Sequence, residues 1–467
     1  MNNKRLPILF VGFCLILVLS LAFVSACTSQ SSSPPPSSSK PTTSTATASP
    51  PAAGPSEIVY GATAPLTGNL AGFGEGSGWA LKAAVDDINK QGGILVKDYN
   101  RKLPVRLVLL DNQSDPIKAG TLAESLILQD KVNFLVSGNE SPPAFASTAN
   151  VADKYKIPYV GNIGPFEPYN AMASQANPRW TYVWGTGFHI GAPAEKGDFR
   201  EGQPGYTIGD VAAAFINQFI GQTNKKTAIF ASDEPDGRGW YTTFPDALKG
   251  MGLTLDGQAK ELGLAPPDTT DFSSIIKQWK DNSDDIMFGN ALAPWFGTLW
   301  KQCRELGYKP KLVYAGRAAL YYIDISSWGG DLPNGVTCEQ LWSPSMDPSV
   351  CKGIGDTTPK SLGDRWTADK NQPINQAIGW SYANVQSISS AIESAGSLDK
   401  AKVNAALAKI DISSIGGRLK YDSTQFSQFP LAWGQWQKDA SGKFVWQTIV
   451  SQHSFIPKTA NPIFPIP

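Results

Sequence analysis

Short apolar runs and amphipathic helical segments alternate from residue 58 onward, and this alternation restricts the possible folds more than any other feature of the chain. The first half of the pattern predicts four strands and three helices. The strands are expected at 58–63, 105–110, 134–137 and 159–161, and the helices at 79–91, 116–129 and 144–155. Alternation of this kind is typical of a parallel, doubly wound sheet with helices on both faces.

A second array of the same kind follows after about residue 187. Its strands are predicted at 227–231, 286–288 and 311–314, and its helices at 207–221, 240–251, 272–282 and 294–306. Two arrays of similar size imply two α/β lobes with a cleft between them. Because ligands of open α/β sheets lie beyond the carboxyl ends of the strands, the cleft is the expected binding site.

The N-terminus has the features of an export signal. A short basic start precedes the apolar run 6–24, which is also about long enough for a transmembrane helix. The tetrapeptide Val24-Ser-Ala-Cys27 resembles the lipobox of bacterial lipoproteins and favours the first alternative. Residues 1–26 are therefore predicted to be a lipoprotein signal peptide, and Cys27 the lipidated first residue of the mature chain.

The segment 27–56 consists mostly of Ser, Thr, Pro and Ala. Such a composition cannot bury enough apolar surface to offset the entropy of ordering, so a disordered tether is predicted. The anchored protein is expected at the outer face of the cytoplasmic membrane or in the periplasm.

Composition excludes several classes of function. Lys+Arg and Asp+Glu both number 40, so no net charge favours a nucleic-acid partner. With only two histidines and no CxxC, neither a metal site nor a cofactor is predicted. Cys338 and Cys351 lie in a loop-rich stretch and are predicted to form a disulfide, whereas Cys303 is expected to be a buried thiol.

Several segments resemble one family, the leucine/isoleucine/valine type of periplasmic binding protein that serves ABC transporters. The clearest are Gly61-Ala-Thr-Ala-Pro-Leu-Thr-Gly68, Ala83-Ala-Val-Asp-Asp-Ile-Asn-Lys-Gln-Gly-Gly-Ile94 and Leu109-Leu-Asp-Asn-Gln-Ser-Asp-Pro116. Gly417-Arg-Leu-Lys-Tyr-Asp422 resembles the closing segment of the family. The resemblance extends over roughly residues 57 to 450 in the same order.

The resemblance implies two Rossmann-like lobes of the type I periplasmic binding protein, joined by a three-segment hinge near 185–187, 335–341 and 418–421. The expected division of the chain follows from the same resemblance. An N-terminal lobe would comprise 57–185 with 341–418, a C-terminal lobe 186–340 with 419–455, and a tail 456–467.

The family also implies which loops contact the solute. In the first lobe these contain Phe73, Asn139, Glu140, Ser141, Gly164, Pro165 and Phe166, and in the second Asp236, Trp240, Ala293, Trp295 and Arg317. For two of these residues a purely structural role is the alternative to ligand contact: Phe73 as a hydrophobic plug of its loop, and Ser141 as the N-cap of the next helix. Of the 14 tryptophans, one or two are expected at the site and the others in the core.

Arg317 departs from the family pattern. Amino-acid-binding members carry at this loop a glutamate that holds the ligand ammonium, whereas a guanidinium grips a carboxylate. This favours a carboxylated solute, for example an aromatic one, over a free branched-chain amino acid. A solvated Arg317, or one in an inter-lobe salt bridge, is the alternative.

The predicted function is therefore capture of a small solute by hinge closure and its delivery to an ABC permease. An enzyme is the first rival, but residues 72–78 do not complete GxGxxG in any register, and neither GxSxG nor a Walker loop occurs. The second rival is a ligand-sensing lipoprotein of the same fold that signals to a receptor.

Overall fold

The structure, a computed structural model, describes residues 54–191, 193–256 and 263–467. The predicted signal peptide, Cys27 and most of the predicted tether lie outside these residues. Within the described ranges no helix combines the length and the apolar character needed to cross a membrane.

Eighteen strands and twelve α-helices are formed by the described residues. The strands are β1 (Ile58–Ala64), β2 (Ile94–Val96), β3 (Arg101–Leu103), β4 (Val105–Asp111), β5 (Phe134–Asn139), β6 (Tyr159–Pro165), β7 (Val183–Phe188), β8 (Lys226–Ser232), β9 (Thr254–Asp256), β10 (Leu264–Ala265), β11 (Ile286–Asn290), β12 (Leu312–Gly316), β13 (Thr337–Gln340), β14 (Asp411–Ser414), β15 (Gly417–Lys420), β16 (Phe426–Gln428), β17 (Ala432–Lys438) and β18 (Phe444–Val450). The helices are α1 (Ala71–Lys90), α2 (Pro116–Leu128), α3 (Pro142–Lys154), α4 (Phe166–Gln175), α5 (Ile208–Phe219), α6 (Pro235–Gly250), α7 (Ser273–Asn282), α8 (Ala293–Glu305), α9 (Tyr322–Ser326), α10 (Pro359–Lys370), α11 (Ala377–Ala395) and α12 (Lys400–Leu407).

The first sheet has the strand order β16-β7-β6-β5-β1-β4, and every neighbouring pair in it is parallel. Helices α1 and α11 pack together and against β5, while α2 and α3 pack together and contact β1 and β6. Both faces of strand β1 are therefore covered, and all seven of its residues are buried. The predicted doubly wound α/β fold is confirmed.

The second sheet runs β10-β8-β11-β12-β13-β17-β18, with β9 also paired to β8. It is parallel from β10 to β13 and antiparallel from β13 to β18. The antiparallel end of the sheet comes from the hairpin β17–β18, which begins more than a hundred residues after the end of β12. Helix α5 contacts β13, β17 and β18, so this part of the sheet is also covered.

Helix α1 begins well before the predicted start at residue 79 and takes in the glycine-rich run that was expected to be a loop. Glycine normally disfavours a helix, but here it permits close packing. A Cβ on Gly74 would overlap the Pro65 carbonyl, and one on Gly76 would overlap the Asn375 amide. The glycines thus let the first turns of α1 lie directly against neighbouring chain.

The chain crosses between the sheets later than expected at its last crossing. Strand β16 pairs in parallel with β7, with Phe426 opposite Gly185, although 419–455 was expected to belong to the second lobe. The crossing therefore follows Gln428 rather than lying near 418–421. The tail 456–467 packs on the second lobe, where the Ile466 amide donates to the Lys311 carbonyl at 3.0 Å.

The predicted disulfide between Cys338 and Cys351 is wrong, because both are free, buried thiols. Cys338 lies in β13 of the second sheet, and its thiol donates a hydrogen bond to the Glu339 carboxylate at 2.8 Å. Cys351 lies where the chain has already crossed to the first lobe, beside Lys352, whose amide donates to Ser414 in β14. Cys303 is a buried thiol in α8, as predicted.

Candidate functional site

A cleft lies between the carboxyl ends of the two sets of parallel strands. Strands β5 and β6 of the first sheet end in it, as do β11 and β12 of the second. It contains about 570 Å³ of space not filled by protein atoms, part of it open to solvent.

Nine of the twelve residues expected at the site line this cleft. They are Phe73, Asn139, Glu140, Ser141, Gly164, Pro165, Asp236, Trp240 and Arg317. Sequence reasoning missed a similar number of lining residues, namely Leu70, Pro142, Asn162, Ile163, Phe188, Asn290, Leu320, Glu339, Leu341 and Trp380.

The other three expected residues lie outside the lining. Phe166 stacks on His189 with ring centroids 4.3 Å apart, and Trp295 packs on Phe272 and donates to the Pro266 carbonyl at 3.0 Å. Ala293 is buried at the first position of α8. Phe166 and Ala293 were expected in loops but are the first residues of α4 and α8.

Three buried asparagines present unpaired amide atoms at the cleft. The Oδ1 atoms of Asn139 and Asn290 and the Nδ2 atom of Asn162 have no hydrogen-bond partner. Asn139 is 4% exposed, and the other two are each 1% exposed. Because a buried polar atom without a partner costs about 1–3 kcal/mol, three such atoms around one cleft indicate a place for a ligand.

The other end of each of these side chains is fixed by the protein. Asn162 Oδ1 accepts from the Gly164 amide at 3.0 Å, and Asn290 Nδ2 donates to Asp236 at 3.2 Å. Asn139 Nδ2 donates to the hydroxyl of Tyr321, which belongs to the second lobe, at 2.9 Å. The three amides are thus oriented before any solute arrives. Asn162 and Asn290 continue strands that sequence reasoning ended too early, which is why they were missed.

The start of α3 offers fewer backbone donors than a helix N-terminus usually does. Pro142 and Pro143 occupy its first two positions and have no N–H. Ser141 stands at the N-cap, but its side chain makes no capping hydrogen bond. Its hydroxyl therefore remains on the cleft wall, and the capping role considered for it is not seen.

Arg317 is held by two carboxylates of its own lobe. Its guanidinium lies 2.5 Å from Glu234 and 3.0 Å from Asp236. The backbone of Arg317 is left-handed (φ 62°), an unusual conformation for a residue other than glycine and one found often at functional sites. The salt bridge lies within the second lobe, so it is neither the inter-lobe bridge nor the free guanidinium considered from the sequence.

The two partners of Arg317 respond differently to it. Burial alone would raise the pKa of Glu234, but the charge and hydrogen bond of Arg317, together with hydrogen bonds from the Gly237 and Asp236 amides, hold that pKa below its ordinary value. Burial dominates at Asp236 and raises its pKa. Glu234 also accepts from the Asp236 and Gly237 amides, so it caps α6 as well.

Two further acids line the cleft, and burial raises the pKa of both. Burial raises the pKa of Glu140 to about 8, although Thr63 and Asn112 donate to its carboxylate. Burial likewise raises the pKa of Glu339, which accepts from the Tyr314 hydroxyl at 2.9 Å. At neutral pH Arg317 is the one base among the described lining residues, and its charge is already balanced.

Aromatic rings form much of the remaining wall. Trp240 stacks on Phe244 with an interplanar angle of 5°, and Trp380 packs on Phe429. Phe73 meets Tyr321 of the second lobe edge to face, with ring centroids 4.7 Å apart. The two tryptophans at the cleft agree in number with the expectation, but Trp380 was not among those singled out.

Two α/β lobes with a lined cleft at the ends of their strands define a two-lobed solute-binding protein. The sequence model of the family described as "Periplasmic binding protein" matches residues 57–440. The chain belongs to that family, which confirms the resemblance to proteins of the leucine/isoleucine/valine-binding type. Its members are solute-binding proteins of ABC transporters that act outside the cytoplasm, and they are not enzymes.

Individual relatives agree with this assignment. The Leu/Ile/Val-binding protein BraC3 of Rhizobium johnstonii is 26% identical over 379 residues, which is 79% of this chain and 88% of that protein. The crystal structure of a leucine-binding protein from Thermotoga maritima has a TM-score of 0.64 at 17% identity and covers 84% of this chain and 99% of that one. A solute-binding protein of an ABC transporter from Rhodopseudomonas palustris, in complex with 3,4-dihydroxybenzoic acid, has a TM-score of 0.62 at 17% identity, with coverage of 87% and 99%. The two structural likenesses show the shared fold.

Proposed function

We propose that this protein is the lipid-anchored receptor of an ABC importer and that its cleft binds an amino-acid-like solute by hinge closure. The observation that carries the proposal is the set of three unpaired amide atoms at Asn139, Asn162 and Asn290. Two are acceptors and one is a donor, and they come from both sheets. A ligand with an amino group and a carboxyl or amide oxygen complements this set, and its side chain would pack on the aromatic wall.

The charges of the cleft support an amino-acid-like solute over a simple anion. Arg317 is already paired with Glu234 and Asp236, so an anionic ligand would have to compete with carboxylates that are in place. An ammonium group meets no such competition, because the carboxyl and amide oxygens of the lining are hydrogen-bond acceptors.

An aromatic acid is the second candidate, and the rings of Phe73, Trp240 and Trp380 favour it. The relative from Rhodopseudomonas palustris binds such an acid in the same fold. In this case Arg317 would exchange one of its partners for the ligand carboxylate.

A thermal-shift series with amino acids and with benzoic acids distinguishes the two candidates. Stabilisation by amino acids, lost in Asn162→Leu, is the expected result. Asn217→Leu is the matched control, because Asn217 is exposed on α5 and lines neither the cleft nor the cavity beside it. Stabilisation by benzoic acids alone would replace the first candidate with the second, and no stabilisation by either would refute the proposed ligand class.

The proposed anchor is Cys27, and the proposed partner is a membrane permease. Metabolic labelling with palmitate is expected to modify the protein and to fail in Cys27→Ala, whereas Cys14→Ala, within the predicted signal, should still be labelled. Adjacent permease and ATPase genes would favour import. An adjacent receptor kinase gene would favour the alternative, a sensing lipoprotein of the same fold.

A further inference from the structure

A second cavity continues the solute cleft outward. It shares five lining residues with the inner part: Leu70, Ser141, Pro142, Asp236 and Arg317. We call the part described above the inner chamber and this second cavity the outer chamber. The outer chamber holds about 970 Å³ of space not filled by protein atoms, part of which is open solvent.

Both lobes contribute walls to the outer chamber. The first lobe supplies Asn69, Gln113 and Ser114, and the second supplies Glu234, Pro267 and Leu292. Closure of the lobes would therefore enclose whatever occupies it, as it would in the inner chamber.

The first-lobe wall is held in a defined shape. Gln113 and Ser114 are consecutive non-glycine residues in the left-handed region, with φ of 57° and 61°. The Gln113 amide donates to Asp111 at 2.8 Å, and the Ser114 hydroxyl donates to the Thr67 carbonyl at 2.7 Å. The left-handed backbone is energetically unfavourable for these residues and persists only where its surroundings fix it, so this wall is preorganised.

The two chambers differ in chemistry, and Asp236 is one of the residues that line both. The inner chamber is walled by rings and carries the unpaired amides, whereas the outer one has no aromatic ring among its described lining residues and combines charged and polar side chains with proline and leucine. Asp236 lines both and accepts from Asn290, whose Oδ1 is unpaired and almost fully buried. Two carboxylates face one guanidinium in the outer chamber, which favours a hydrogen-bond-donating group there over an anion.

We propose that the outer chamber is a second subsite, so that the solute is longer than a branched-chain amino acid and ends in a hydrogen-bond-donating group. The inference rests on the proposed amino-acid-like ligand and specifies its length and end group. The amino and carboxyl groups lie at the inner amides, and the side chain passes Asp236 into the outer chamber.

Calorimetric titration with leucine, arginine and citrulline tests this. Arginine and citrulline have nearly the same length and differ in charge, whereas leucine ends inside the inner chamber. At least one of the two long probes is expected to bind about tenfold or more tightly than leucine. Leu292 lines the outer chamber but not the inner one, so Leu292→Trp should abolish that preference while leaving leucine affinity within about threefold.

Leu292→Met preserves the volume and is the matched control, and Asn69→Trp fills the chamber from the first lobe should Leu292→Trp fail to fold. Leucine binding as tightly as both long probes would overturn the second subsite and leave the proposed function standing. If both tryptophan variants lost the same factor of affinity for leucine as for the long probes, the second subsite would likewise be overturned and the proposed function would stand. Failure of all three probes to bind would overturn both the subsite and the amino-acid-like ligand.

Discussion

Replacing Arg317 with methionine removes the charge that two neighbouring carboxylates share. The side chains of Arg317, Glu234 and Asp236 are 12%, 21% and 11% exposed, so the cluster is largely buried. Loss of one partner from a buried pair costs about 3–5 kcal/mol, because the other charge is left without compensation. We expect about 3 kcal/mol here, at the lower end of that range, since some solvent reaches all three groups.

The melting temperature converts this cost into a measurable shift. A lobe of roughly 200 residues loses about 2–4 °C per kcal/mol, so Arg317→Met should melt about 6–12 °C below the wild type at pH 7. Arg238→Met is the matched control, because Arg238 pairs with Asp233 on the surface and is 58% exposed. An exposed pair contributes less than about 1 kcal/mol, which corresponds to a shift of a few degrees at most.

The pH dependence provides a second check on the same variant. Arg317 holds the pKa of Glu234 below its ordinary value of 4.5, so the stability from this pair is present above that pH and is lost as the pH falls through the lowered value. The difference between wild type and Arg317→Met should therefore narrow in acid. Melting of Arg317→Met within about 2 °C of Arg238→Met, or an equal gap at pH 7 and in acid, would refute the reasoning.

Three further outcomes are expected. Burial raises the pKa of Glu140 from 4.5 to about 8, so the stability that depends on its protonated form falls as the pH rises from about 4.5 to about 8. Chemical unfolding across that range should show this decrease in the free energy of unfolding for the wild type and not for Glu140→Gln. Tyr321→Phe leaves the buried Asn139 amide donor without a partner and should lower the free energy of unfolding by about 1–3 kcal/mol. The control Tyr322→Phe, at the half-buried neighbouring position, should lower it by less than about 0.5 kcal/mol, and equal losses would contradict the inter-lobe contact. Alkylation of the unfolded, unreduced protein should label all three cysteines of the described region, Cys303, Cys338 and Cys351. Protection of Cys338 and Cys351 from alkylation would show that they form a disulfide after all.

The fold was predictable because its signal is repeated and local. Strands such as β1 and β8 are short and mostly apolar, and each is followed by a helix with apolar residues on one face. The family resemblance then supplied the division into two lobes. The early start of α1 was not predictable, because its glycines are explained only by the distant groups they approach, Pro65 and Asn375.

The site was predicted less completely, for two physical reasons. Lining residues such as Trp380 and Glu339 come from parts of the chain that reach the cleft only through tertiary packing, and nothing local marks them. The state of Arg317 depends on carboxylates more than 80 residues earlier in the chain, so the sequence gives its charge but not its partners. Asn162 and Asn290 are different, since a polar residue that ends an apolar strand is a signal that was available.

A crystal structure of the protein with its bound solute tests the central claim most directly. The account predicts a small molecule between the lobes that contacts Asn139 or Asn162 on the first lobe and Asn290 on the second, with their unpaired atoms now hydrogen-bonded. A solute bound elsewhere, or a liganded protein in which the three amides still lack partners, would contradict it.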